Sequence, residues 1–451
     1  MPEADRGGPR ADLTPVDLSI MVVGIVLGIG VFKTPSLVAA YASDATVFVS
    51  LWLLGGLITV IGSVCYAELG SARPDAGGEY TFLREAYGPR LALLFAWARC
   101  AVIQPGAIAA AAFVMGDYAN VVVPLGTRGP GLYALASIAL FTFVNHVGTA
   151  PGTLTQNVVE VVTVLAVLGV IVSAFVTTTP APPPALPNGT SLTGVGLAMM
   201  FILLTYGGWN EAAYLSGELQ DARRNMARAL VVGVLVVVAV SVAINLAYLH
   251  VLGLDGIRDS DAVGASLMRA VAGDTGASVM SVVIVLSTLT TLNGLIITGS
   301  RSYYALGRDV AALRAIGRWR ERGSTPANAL VLQGLVSAVL VVFGAATRVG
   351  FRTMVAYTSP VFWFFMLLVA LSVYVFRRRE TGDAPHHRVP HHRASHYRVP
   401  LYPLTPAVFA LSCLWVLWSS LLHAGWGAVL GVAVLLSGTP LLLLTPARPA
   451  A

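Results

Sequence analysis

The amino-acid sequence predicts an all-α polytopic membrane protein with about twelve transmembrane helices, and three observations lead there. Of 451 residues, 56% are hydrophobic and only 11% charged, with a mean hydropathy of +0.76. A soluble chain of this size needs far more charge to cover its surface. Apolar runs of roughly 17 to 25 residues, enough to cross about 30 Å of hydrocarbon, recur along the whole length. Two of these runs are interrupted in the middle by glycines, at Gly28-Ile29-Gly30 and at Gly207-Gly208. Non-helical backbone at membrane depth is tolerated only against protein, water or a ligand, so the two breaks read as one binding site made of two interrupted helices.

Taken in order, span one (Val16–Ala40) holds the first break and the only lysine of the chain, Lys33. Spans two to five are Thr46–Ala67, Leu91–Val123, Leu132–Val147 and Val158–Val176; the third contains Arg99 and Asp117, the fifth Glu160 and Thr163. A Pro-rich, uncharged stretch, Thr177–Asn188, suits an external connector. Span six (Val195–Leu215) holds the second break and Glu211. Spans seven to ten are Ala229–Leu252, Ala277–Ser300, Ala327–Ala346 and Met354–Phe376, and spans eleven and twelve are Leu404–Leu422 and Gly425–Leu444. Before span eleven, His386–His396 carries five histidines among arginines and prolines. It reads as a solvated loop, with metal binding or pH sensing as the alternative. The expected division is a tail over residues 1–14, a ten-helix core over 15–376 with halves 15–178 and 194–376, the His/Arg-rich loop over 377–402, and peripheral helices over 403–446.

Arginine placement gives the orientation. With the N-terminus cytoplasmic, the inner segments hold 21 arginines and the outer loops five, so both termini are expected in the cytoplasm. The same asymmetry accounts for most of the net charge of +6, and nucleic-acid binding is not needed to explain it. The N-terminal tail lacks the charge and cleavage site of a removable signal. Cys65, Cys100 and Cys413 all fall within spans, which suggests neither a disulfide framework nor a metal motif. Ionisable groups inside a membrane are functional candidates by default, here Arg99, Asp117, Glu160 and Glu211. Glu211, beside the second break, is the leading candidate for a proton carrier or a contact to a cationic substrate, with Glu160 next. Asp117 is expected near the outer surface, hydrated, and Arg99 is expected to pair inside the bundle.

Several motifs are recognisable. Gly28-Ile29-Gly30-Val31-Phe32-Lys33-Thr34-Pro35 resembles the G-S-G-I-F-x-x-P signature in the first helix of the amino acid–polyamine–organocation superfamily. Ala67-Glu68-Leu69-Gly70, then Pro74 and Gly77-Gly78-Glu79-Tyr80, is similar to its A-E-L-G…P…G-G-E-Y segment. Tyr206-Gly207-Gly208-Trp209-Asn210 resembles the sixth helix of the L-type amino acid transporter branch; Ser287-Thr288 and Leu292-Asn293-Gly294 resemble its eighth, and Arg398-Val399-Pro400-Leu401-Tyr402-Pro403 the entry to its eleventh. The resemblance spans nearly the whole chain in the family's order. It implies the leucine-transporter fold, with ten core helices in two inverted repeats, broken helices one and six and two peripheral helices, and a small amino acid as substrate.

The chemistry of such a site follows from helix ends. The N-terminus of the outer half-helix of span one aims free N–H groups and a positive dipole end at the gap, where the backbone of Gly28, Ile29, Gly30 and Val31 suits a carboxylate. Carbonyls around Ile25, Val26, Leu204 and Thr205 suit an ammonium group. Selectivity then rests on Tyr206, Gly207, Gly208, Trp209, Asn210 and the rest of the pocket. Ile29 stands where the family usually has Ser, Thr or Ala, and Leu204 where the L-type branch often has an aromatic, which leaves Trp209 or Tyr206 to close over a small neutral substrate.

Coupling is open among sodium, protons and exchange. Aligning Gln156 with the family's glutamine puts Thr163 where many sodium-independent members carry a lysine. The hydroxyls of Ser287 and Thr288 with carbonyls near Gly24 and Ile25 would make an oxygen site for Na⁺, or they are ordinary helix-packing hydroxyls. Asn293 joins these as a coupling or gating candidate.

The reading is a permease for small neutral amino acids in a bacterial inner membrane, with no cofactor. Its alternatives are a cationic amino acid or polyamine exchanger and a non-transporting sensor. No nucleophile–base constellation points to an enzyme. The Pro124–Pro130 loop has no cysteine, so a disulfide-linked heavy chain is not expected.

Overall fold

The computed structural model describes residues 13–26, 30–75, 77–148, 153–177, 191–310, 313–320, 325–347, 349–382, 396–423 and 425–444. Gly28 and Ile29, the Pro-rich connector and the histidines before His396 lie outside them, as do the side chains of Ile25, Gln156 and Glu160.

The chain is an all-α polytopic membrane protein. Its twelve segments follow the order read from the sequence. Segment one is Pro15–Val26 and Gly30–Ala39, two Ala45–Ala72, three Pro89–Val122, four Gly129–Val147, five Thr153–Thr177 and six Leu192–Thr205 with the 3₁₀ stretch Trp209–Glu218. Seven is Ala222–Arg258, eight Val263–Asp309, nine Ala327–Ala346, ten Gly350–Gly382, eleven Leu404–His423 and twelve Trp426–Leu436. By length and composition nine of these helices can cross a membrane; the apolar stretches of one, five and twelve are shorter. Among the described residues there are no strands, only two isolated bridges, Leu13 with Leu219 and Arg320 with Thr325.

Segment six sits at the centre. Ten of the 14 residues in Leu192–Thr205 are buried on all sides of the helix, the signature of a fully enclosed helix. Segment two packs along segments six, seven and eleven because its small residues face them. A Cβ at Gly55 would meet Ile202, one at Gly56 Val238, and one at Gly62 Phe409, so glycine at these positions lets the helices close in. The outward faces of the same helices carry exposed Leu53, Leu57, Leu235 and Leu411, as a lipid-facing surface requires. Segment one runs beside segment seven, where the Ser19 hydroxyl shares its proton between the Ala229 carbonyl at 3.0 Å and the Pro15 carbonyl of its own helix at 2.9 Å.

Segment three changes helical pitch at Arg99–Ile103, a single π turn. Its cause is local: Pro105 has no N–H to offer the Ala101 carbonyl, and the Gln104 N–H bonds Arg99 rather than Cys100. Two tyrosines take the freed carbonyls. Tyr357 of segment ten donates to Ala101 at 2.8 Å, and Tyr303 of segment eight donates to Cys100. The turn begins at Arg99 and aims this side chain at the second half of segment six.

Candidate functional site

The two interrupted helices meet. The described helices of segment one are Pro15–Val26 and Gly30–Ala39, with the predicted first break between them outside the described residues, and Gly30 lies directly on Thr205, the last residue of the first half of segment six. A Cβ built on Gly30 would lie 2.7 Å from both Thr205 Cα and Cγ2. The hydroxyls of Thr34 and Thr205 are in hydrogen-bond contact across the same crossing. At the second break the Gly207 N–H donates to the Leu204 carbonyl at 3.0 Å. Gly208 has φ 105°, a left-handed conformation that only glycine adopts without strain. The chain then continues as a 3₁₀ helix rather than an α-helix.

The side chains predicted to line the gap divide into groups. Val26, Val31 and Thr205 are buried, and Leu204 is half-buried. Tyr206 is turned to segment two: its hydroxyl donates to the Trp52 carbonyl at 3.2 Å and its ring meets the Trp52 ring edge-on at 5.7 Å. Trp209 packs edge-on against Tyr66 at 4.9 Å and beside Phe409. Gly207, Trp209 and Asn210 line a small cavity with Thr59, Phe362 and Trp363. Asn210 also borders a second cavity with Glu79, Arg99, Glu211, Phe365 and Met366.

That second cavity holds a charge cluster of which the sequence showed only pieces. Arg99 donates to both oxygens of Glu211, at 2.9 and 3.2 Å, and to the Tyr214 hydroxyl at 2.9 Å. Glu79 accepts from Tyr66 at 2.6 Å, Asn210 at 3.1 Å and Tyr214 at 3.1 Å. Burial pushes the Glu79 carboxyl above the usual carboxylate range, with Arg99 pulling the other way. Glu79 heads the short helix Glu79–Tyr87 after the Gly77-Gly78 turn, and Gly78 takes φ 48° with the Tyr214 ring against it. The acidic residue in that motif was the available signal.

Two further ion pairs join segments of the bundle. Lys33 meets Asp117 of segment three at 2.7 Å and donates to the Asp261 carbonyl at 2.8 Å. Asp117 is therefore not a hydrated surface carboxylate, because the lone lysine of the chain reaches it from the second half of segment one. At the opposite, arginine-rich face, Arg377 of segment ten donates to both oxygens of Glu68, at 2.8 and 2.6 Å. Glu68 also accepts from the Val399 N–H at 2.6 Å, which docks the Arg398–Pro403 motif onto segment two.

Each of the coupling candidates Thr163, Ser287, Thr288 and Asn293 is buried on its own helix. Thr163 is buried on segment five, which packs against segment eight, and its hydroxyl donates to Val159 of its own helix at 2.8 Å. Ser287 and Thr288 are buried on segment eight, Thr288 donating to Ile284 at 2.7 Å. Asn293 accepts from Asn145 of segment four at 2.7 Å, a polar contact between helices. Gly24 lies in the first half of segment one, one turn before its break. Among the described residues no group of three His, Cys, Asp or Glu is placed to hold a metal ion.

Sequence comparison agrees with this architecture. A family profile described as "Amino acid permease" matches residues 13–436. The chain is 28% identical over 375 residues to b(0,+)-type amino acid transporter 1 of Mus musculus, covering 80% of this chain and 75% of the relative. It is 25% identical over 426 residues to the serine/threonine exchanger SteT of Bacillus subtilis (strain 168), covering 93% of each. It is also 27% identical over 462 residues to the large neutral amino acids transporter small subunit 2 of Homo sapiens, covering 98% of this chain and 82% of the relative. The chain thus belongs to the amino acid permease family within the amino acid–polyamine–organocation superfamily, resembles its L-type branch, and is an amino acid transporter of the membrane rather than an enzyme.

Proposed function

We propose that the protein is a secondary active permease that carries a small neutral amino acid by alternating access, holding its α-amino and α-carboxyl groups between the two helix breaks. The observation that carries this reading is the crossing of Gly30 on Thr205, which puts the N-terminal end of one half-helix beside the C-terminal end of another. N–H groups at the first and carbonyls at the second, that of Leu204 keeping a lone pair beside its bond from the Gly207 N–H, are complementary to a zwitterion. Apolar Leu204 and Val31 beside that crossing favour a neutral side chain. Glu211, the residue a cationic substrate would need, is already neutralised by Arg99. The serine/threonine and large neutral names of two relatives support the same choice.

The ten core helices are read as two inverted repeats of the leucine-transporter type, over 15–178 and 194–376, with 403–446 peripheral. Both termini are assigned to the cytoplasm of a bacterium and the protein to its inner membrane, without a disulfide-linked heavy chain. Purified protein in liposomes, offered each amino acid in turn with and without Na⁺ and a pH gradient, tests the proposal. Saturable uptake of small neutral amino acids is expected. Preferential uptake of lysine, arginine or a polyamine would replace it with the cationic exchanger, and tight binding without flux would make the protein a sensor.

A further inference from the structure

The cluster beside the second break holds two carboxylates and one guanidinium. Arg99 has committed itself to Glu211, and its nearest approach to Glu79 is 3.9 Å, beyond hydrogen-bond reach. The Glu79 side chain is 6% exposed, whereas that of Glu211 is 37% exposed. The surplus negative charge therefore sits on the less hydrated carboxylate, whose hydrogen-bond partners, Tyr66, Asn210 and Tyr214, are all neutral. From segment ten the cavity is faced only by Phe362, Phe365 and Met366. The other charges nearby in sequence, Asp75, Arg84 and Glu85, are exposed to solvent. A buried carboxylate that must share its one cation with a second, closer carboxylate is only partly compensated, and taking up a proton relieves it.

We propose that Glu79 is the proton-carrying group of transport, and that its protonation loosens the inner half of segment six. This rests on the reading of the chain as a secondary active carrier. Asn210 and Tyr214, the two residues through which Glu79 holds the 3₁₀ stretch Trp209–Glu218, lie on that half. Hydrogen bonds to an ionised acceptor are roughly twice as strong as those to a neutral one, so adding a proton to Glu79 weakens both holds together. Arg99 Nε is buried with no hydrogen-bond partner among the described residues, which leaves the guanidinium spare donor capacity to turn from Glu211 toward Glu79 when the proton leaves. The proton enters with the substrate and departs when Arg99 and the three neutral donors again favour the carboxylate.

The test uses the full chain in liposomes with the pH dye pyranine trapped inside, each of the twenty standard amino acids being offered outside. Internal acidification that accompanies uptake, and uptake raised about tenfold by an inward acid gradient, are expected. Amino acid flux with a silent dye and no pH dependence overturns the inference and leaves the permease reading standing; no flux of any amino acid removes both. Glu79→Gln is expected to retain counterflow exchange while losing the acid stimulation. Glu211→Gln frees Arg99 for Glu79 and should move the midpoint of the pH profile down by about one unit or more. An unmoved midpoint in Glu211→Gln also overturns the proposal, and this variant, like the wild-type dye signal, decides the matter even if Glu79→Gln fails to fold.

Discussion

Replacing Gly30 by alanine is the sharpest perturbation of the crossing between segments one and six. The new Cβ would fall 2.7 Å from Thr205 Cα and 2.7 Å from its Cγ2, where ordinary carbon–carbon contact needs roughly 3.5–4.0 Å. The helices must therefore part by about 1 Å at the break, and overpacking of this kind costs about 1–3 kcal/mol. The sequence alone suggested a different reason for the glycine, that a Cβ would block a substrate carboxylate from the backbone. The two reasons separate in thermal unfolding of purified protein with and without substrate. Helix packing predicts that Gly30→Ala lowers the unfolding temperature of the substrate-free protein by several degrees. A second change, Thr205→Gly, should rescue it only in part, because it removes Cγ2 and leaves Cα in place. An unchanged substrate-free unfolding temperature, with only the substrate-induced stabilisation lost, would refute the packing argument and restore the carboxylate one.

Other predictions concern contacts elsewhere in the bundle. Arg377→Gln strands Glu68, whose side chain is 7% exposed, and should cost about 3 kcal/mol or more. Detergent-extracted yield should fall and recover in the double variant with Glu68→Gln, and equal yields for all three proteins would count against the pair. Tyr206→Phe removes one hydrogen bond to the Trp52 carbonyl, for about 0.5–1.5 kcal/mol of stability; half-saturation for uptake should stay within about twofold, and a tenfold rise would put the hydroxyl in the substrate site after all. Thr163→Lys places an ammonium at a buried position of segment five, which packs against segments seven and eight. If uptake is sodium-driven it should lose its Na⁺ dependence, and wild-type uptake indifferent to Na⁺ would remove the sodium reading before any variant is made.

The twelve segments were legible because membrane spans are defined by length and hydrophobicity, which a single sequence displays. The second break was legible for a related reason, since Gly207-Gly208 in an apolar run has few structural excuses. The roles of side chains at the breaks were less so. Tyr206 and Trp209 read alike as gate aromatics, yet one is turned to Trp52 and the other stacks on Tyr66 beside a cavity; a 3₁₀ stretch after Gly208 shifts every later side chain from its α-helical direction. Asp117 looked like an outer-surface acid because its partner, Lys33, is 84 residues away on another helix. Glu79 was visible only as a letter in a motif, because its surroundings come from segments two, three, six and ten. Ion pairs between distant helices leave no periodic trace, and this is where the structure adds most.

Segment three binds both halves of the proposed transport unit. Asp117 holds Lys33 on the second half of segment one, and Arg99 holds Glu211 on the second half of segment six. The two residues are 18 positions apart on one helix, about 27 Å at 1.5 Å per residue, so the two pairs are well separated along segment three. With both pairs formed, neither half-helix is free. Alternating access requires that they open one at a time, so segment three acts as a post to which each gate is fastened separately. Asp117→Asn should then raise hydrogen–deuterium exchange over residues 30–39 and leave 209–218 as it was, while Arg99→Gln should do the reverse. Loosening of both stretches by either variant would mean that the two latches belong to one cooperative unit, and the picture of independently fastened gates would have to be given up.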